Sequence, residues 1–263
     1  MPTFPSYGAE VTTECPGPLS CAESLSAPPR VIIDLRGLGA APVAAMRLLI
    51  VADVLRRVLE HPANSAISVV AIDDGCGRSS LPKLVARGLS LLNTDHCRSD
   101  GAGLAHLGGS PTVVVTSTDR APAGTVNCRV LPVGGVKPMQ WDADLSRRVD
   151  ERDPLNLRLA LLHFPYAAPA ALSAARLHRA DATLIRWRFK VSYWKDQPDA
   201  PARDLEALDA LLANDLDTGS VLRAMHRIEI DHTIPSGAKF QTFVALDRVL
   251  ALDLRRSCGH GHW

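Results

Sequence analysis

The chain is short of several things, and each shortage narrows what it can be. Only 5% of its 263 residues are aromatic, so base-stacking platforms are scarce and Leu, Val and Ala must build the core. Charge of one sign is nearly absent: 29 Lys and Arg against 28 Asp and Glu leave +1. Nothing in the whole-chain charge attracts nucleic acid, an anionic membrane or an acidic partner, although a local basic face stays open. The longest apolar run near the N-terminus, 43–55, is broken by Arg47 and Asp53 and is too short to span a bilayer. Residues 1–30 have no basic stretch leading into an apolar one, the mark of a secretory signal. They are rich in Pro, Ser, Glu and Thr and read as a flexible leader, which points to a cytoplasmic protein without membrane attachment. The cysteines, Cys15, Cys21, Cys76, Cys97, Cys128 and Cys258, form no Cys-x-x-Cys pair, so free thiols are expected rather than three disulfides.

What is present is ordinary globular composition, 46% hydrophobic and 22% charged, with a change of texture part-way along. Val31-Ile32-Ile33-Asp34-Leu35 is a β-branched run and predicts a strand. A turn with Gly37 and Gly39 follows, then a helix over 43–59 with apolar residues at helical spacing. A second strand is predicted over 66–72, ending in Asp73-Asp74-Gly75, which makes a parallel strand–helix–strand unit. A helix over 81–92 and strands over 111–117 and 126–133 complete an α/β unit spanning 30–140. From 141 to 254 no β-run recurs. Helices are predicted over 155–163, 169–193, 204–213, 218–230 and 239–252, with a mobile tail at 255–263. The expected architecture is therefore a leader (1–29), a truncated Rossmann-like parallel sheet domain and an α-helical bundle.

Few residues stand out as chemistry. Gly37-x-Gly39 is a fragment of a phosphate-binding loop, lacking a third glycine. Asp73-Asp74, at a strand's C-terminal end, lies where open α/β sheets bind ligands and suits a ribose hydroxyl or a metal, or equally a turn. Cys258, His260 and His262 are the best metal-like string, weakened by their place in a tail. Asp95-His96-Cys97 lacks further ligands at metal spacing. Trp187 and Trp194, seven apart, fit a helix–helix seam. Arg176, Arg179, Arg186, Arg188 and Lys190 make one basic helical stretch, readable as a solvated face or a contact for RNA.

The bundle carries a family resemblance. Asp153-Pro154, Leu157-Arg158-Leu159-Ala160-Leu161-Leu162 and Tyr166 resemble the segment after the second signature loop of class I aminoacyl-tRNA synthetases. They look most like cysteinyl-tRNA synthetases and the related ATP-dependent mycothiol cysteine ligase. Leu184 to Arg188, Asn214 to Thr218, Gly237-Ala238-Lys239-Phe240 and Leu246 to Leu250 resemble the helices that follow in those families. About 100 residues are covered, and the chain stops, as the ligase does, without an anticodon-binding domain. Placing Asp53 and Arg57 on the family's Phe-Asp-x-x-x-Arg sets Val31 to Asp34 on its first strand, and Pro42-Val43-Ala44-Ala45 on its His-x-Gly-His.

The departures fall on the chemistry. Ile33 stands where the family has a zinc-ligating cysteine, so the family's zinc site is absent. Pro42 and Ala45 replace the histidines that line the ATP phosphates. Gly135-Val136-Lys137-Pro138-Met139 is the nearest text to Lys-Met-Ser-Lys-Ser, and the inserted connective domain is missing. Both signature motifs are thus lacking. The resemblance implies a degenerate, cysteinyl-tRNA synthetase-like pseudoenzyme that no longer activates cysteine by the family mechanism and acts as a protein- or ligand-binding module. Apolar surface left by the deletion suggests a homodimer or a protein partner. One alternative is an active ligase with a reworked site, in which Arg47 and Lys137 serve ATP or an aminoacyl-adenylate. The other is a small tRNA-binding module.

Overall fold

The computed structural model describes residues 29–63, 67–73, 85, 95–98, 113–118, 129–137 and 154–256. The β-branched runs form one all-parallel sheet of five strands: β1 (Arg30–Asp34), β2 (Ser68–Asp73), β3 (Asp95–Arg98), β4 (Val113–Ser117) and β5 (Arg129–Val133). Their order is β3-β2-β1-β4-β5, a Rossmann-like winding whose direction reverses between β1 and β4. Register pairs Ile33 with Ala71 on one side and Val115 on the other, so both central neighbours present small or β-branched side chains to one face. Ile32, Val70 and Val114 form a separate small cluster on the opposite face. β3 escapes sequence reading because Asp-His-Cys-Arg has no strand pattern. It exists through pairing at the sheet's edge, where polar side chains are tolerated. The helix predicted over 81–92 lies outside the described residues apart from Val85.

Helix α1 (Pro42–Ala63) begins at a proline, whose missing N–H is no loss in a first turn. Every side chain from Ala45 to Leu55 is buried, because α1 is covered on both sides. It contacts β1, β4 and β5, and also two helices of the bundle, α2 (Pro154–Leu162) and α6 (Ser236–Leu250). One apolar cluster therefore runs from Ile33 in the sheet through Leu49 of α1 to Leu254.

The remaining helices are α3 (Ala174–Trp194), α4 (Leu205–Asp215) and α5 (Thr218–Ile230). Trp187 and Trp194 of α3 are buried edge-on against Phe243, as the seam reading expected. α3 starts later than residue 169. Ser173 caps it by accepting the Arg176 N–H, and the stretch before it is laced to the end of β5. Gly134 N–H donates to Tyr166 O (2.8 Å), Ala170 N–H to Gly135 O (2.9 Å) and Lys137 N–H to Ala170 O (2.8 Å). Among the described residues no helix is long and apolar enough to cross a membrane.

Candidate functional site

A doubly wound parallel sheet leaves a crevice where its winding reverses, beyond the C-terminal ends of β1 and β4. Asp34 closes β1 there with its carboxylate buried (1% exposed), and two residues later Arg36 folds back on it. Arg36 Nε donates to Oδ1 and Nη2 to Oδ2, both at 2.8 Å, and the Arg36 backbone N–H adds a bond of 3.1 Å. This two-pronged pair blunts a buried acid at the reversal. Sequence reading passed over it, although an Asp at a strand end with an Arg two residues on is a local signal.

The predicted site residues scatter. Gly37 takes a left-handed conformation (φ 73°) in the turn after β1, and Gly39 is exposed with open space where a side chain would grow. Asp73 ends β2, and Asp74 lies outside the described residues, as do Cys258, His260 and His262. Among the described residues no three His, Cys, Asp or Glu side chains converge to hold a metal. Lys137 is exposed beyond β5 and is tied by its backbone to Ala170.

Arg47 corrects the phosphate reading offered for it. It is not a cation free to meet a phosphate, for it is 1% exposed and committed to four backbone carbonyls. Nη1 donates to Gly134 O (2.7 Å) and Gly135 O (3.0 Å), and Nη2 to Pro165 O (2.9 Å) and Ala168 O (2.7 Å). Burial lowers its pKa to about 10, which leaves it charged at neutral pH. The guanidinium thus clasps the end of β5 to the segment entering α3. Gly134 allows that approach, since a Cβ there would meet the Ala168 carbonyl at 2.4 Å.

A second joint sits one side of α1 away. The Asp53 carboxylate is buried (1% exposed) and accepts from Arg56 Nη2 and Arg57 Nε, each at 2.9 Å. Arg158 of α2 faces it at 2.7 Å as an ion pair and donates through Nε to Leu250 O at the end of α6. Burial alone would raise the Asp53 pKa; Arg158 and Arg57 overcome it and hold the acid below its ordinary value. Within the bundle, Glu229 gathers Arg186 Nε (2.7 Å), the Trp187 indole N–H (2.9 Å) and Lys190 (3.0 Å). Against the cost of burial, these donors bring its pKa down to about 2.

The basic stretch on α3 therefore divides. Arg188 turns inward to the carbonyls of Leu252 and Asp253, and Arg186 and Lys190 pair with Glu229. Arg176 stacks over the Phe164 ring (5.0 Å), and Arg179 is exposed with no partner among the described residues. The other exposed side of α3 carries Ile185, Phe189 and Tyr193 at a four-residue repeat, 49%, 68% and 62% exposed.

The fold and crevice define a Rossmann-like α/β protein with a helical bundle packed on the first helix of its sheet. No family model matches the chain, and no curated protein matches it significantly.

Proposed function

We propose that this chain is a degenerate class I synthetase-like protein, nearest to cysteinyl-tRNA synthetases and mycothiol cysteine ligase, that works by binding rather than by activating cysteine. The observation that carries the proposal is the commitment of Arg47. Aminoacyl adenylation needs positioned cations or donors where negative charge develops on the phosphates. The one cation of the first half of α1 points instead at four backbone carbonyls. Ile33 and Ala45 are buried apolar groups, and Pro42 has no N–H to offer.

The kinship reading draws support from packing. Asp53, Arg57 and Arg158, three positions on which the resemblance rests, meet in a single ion cluster. The Ile185, Phe189 and Tyr193 stripe supports a protein partner or a second copy as the bound object. The reworked-ligase alternative loses Arg47 as its phosphate group. The tRNA alternative loses Arg188 to the interior and Arg186 and Lys190 to Glu229.

Calorimetric titration with a non-hydrolysable cysteinyl-adenylate analogue, together with cysteine-dependent pyrophosphate exchange, tests this. The expected result is neither saturable heat from the analogue nor exchange. Micromolar analogue binding with measurable exchange overturns the proposal.

A further inference from the structure

Between α2, α3 and α5 lies a half-open concavity of about 420 Å3. Its polar lining comes from His163, Arg176, Arg179, Thr183, Arg186 and His226. On α3 the spacing of Arg176, Arg179, Thr183 and Arg186 is three, four and three, so one helix face delivers all four. Ala160 and Ala180 line it too, and their small side chains leave the room.

The charges in this groove are unbalanced. Among the described residues no carboxylate lines it. Glu229, the acid on Arg186, is already occupied by Arg186, the Trp187 indole and Lys190. Arg179 makes no ion pair among the described residues, and Arg176 lies on the Phe164 ring, a contact that holds the guanidinium plane while its N–H edges stay available. His163 Nδ1 is 2.8 Å from Leu159 O, which makes Nδ1 the N–H and turns Nε2 away from the helix. His226 packs on Trp187 and is held below the ordinary imidazole pKa, first by burial and then by the positive charge of Arg186 and His163, with Glu229 opposing. Gathering cations in a concavity costs free energy that an anion refunds.

We propose that this groove binds a small phosphorylated molecule, its phosphate or diphosphate held by Arg176 and Arg179, with Arg186 kept on Glu229 at the groove's wall. A volume of about 420 Å3 is in the range of small-molecule sites. The cations converge on one concavity instead of tracking along the helix: the next two in line, Arg188 and Lys190, are withdrawn to the interior and to Glu229. That suits one phosphate group better than a nucleic-acid backbone, which needs a run of contacts. The groove is separate from the crevice at the sheet, so this inference does not depend on the preceding one.

The test is calorimetric titration of the full chain with inorganic pyrophosphate at fixed ionic strength. One site per chain is expected, weakened about tenfold or more in Arg176→Gln/Arg179→Gln. A control pair on exposed surface, Arg203→Gln/Arg256→Gln, should bind as the parent does, and denaturant midpoints establish that both variants are folded. Heat from ATP that disappears in the Arg176→Gln/Arg179→Gln variant belongs to the groove, and supports it without bearing on the crevice. Absence of saturable binding, or equal weakening by the control pair, overturns the proposal. So does a single-stranded RNA that displaces pyrophosphate with a steep salt dependence, which would assign the face to nucleic acid.

Discussion

At the C-terminal ends of the strands, Arg36 is closed on Asp34 after β1 and Arg47 is sealed against four carbonyls beyond β5. Around α3, Arg176 and Arg179 face an open concavity, with no acid on either among the described residues. The same side chain serves opposite ends in the two regions. In the first, arginine's fixed fork of donors replaces hydrogen bonds that the backbone cannot make for itself, as when β5 and the entry to α3 meet without a regular ladder. In the second, no acceptor among the described residues uses the donors. A region that spends its cations internally is built for stability, and one that leaves them convergent and unpaired is built to meet something else.

Three substitutions sharpen that contrast. The largest effect belongs to Asp53→Asn. It leaves Arg158 buried without its counter-ion, and a loss of about 3–5 kcal/mol in urea unfolding is expected, as for other broken buried pairs. Replacing Arg158 by Met in the same chain should recover much of it, because the charge no longer needs a partner. A loss below about 1 kcal/mol for Asp53→Asn would mean that the joint is ordinary exposed electrostatics.

Next comes Arg47→Met, which conserves bulk and removes four hydrogen bonds. About 3 kcal/mol is expected, since Gly134 O and Ala168 O lose their arginine donor, while Gly135 O and Pro165 O keep the backbone N–H groups of Ala170 and Ala168. Arg47→Lys should rescue little, because an ammonium cannot span both pairs of carbonyls. Unchanged stability joined to weaker nucleotide binding would reverse the assignment and make Arg47 a ligand contact after all.

The smallest of the three is Glu229→Gln, at about 2 kcal/mol near neutral pH once solvent screening around exposed Arg186 is allowed for. The folded acid's pKa, about 2, lies below its ordinary 4.5. The contribution is therefore complete above that ordinary value and disappears as pH falls from about 4.5 towards 2. The parent and Glu229→Gln should differ at pH 7 and converge under acid; a constant difference across that window would remove Glu229 as the titrating anchor.

Much of the element order was legible in the sequence. β-branched runs gave away β1, β4 and β5, and 3.6-residue periodicity located the described helices of the bundle, with α5 placed from its first residue to its last. Pattern reading failed where tertiary contact overrides local preference. β3 has no apolar alternation and exists through pairing with β2. Residues 164–170 lie before α3 rather than in it, because Gly134 and Arg47 bind their backbone and Ser173 supplies a cap. Arg47 was offered as a group to serve ATP, and its place in the chain was the only thing sequence could report. Which way its guanidinium turns is decided by carbonyls about 90 and 120 residues away, beyond any local signal.

The sequence by itself determined a parallel sheet followed by helices, since hydrophobic period and chain length leave little else for such a pattern to form. It also determined that Pro42, Ala45 and Ile33 offer no phosphate or zinc chemistry, because those side chains carry no suitable atoms. Only the tertiary structure decided how the charges are shared. Long-range packing buried Arg47, Asp53, Arg158 and Arg188 at joints between elements, and left Arg176 and Arg179 facing solvent on a helix that also carries the buried Arg188. Periodicity says which residues share a face; which face meets the core, and which charge finds a partner, depends on elements brought together from opposite ends of the chain.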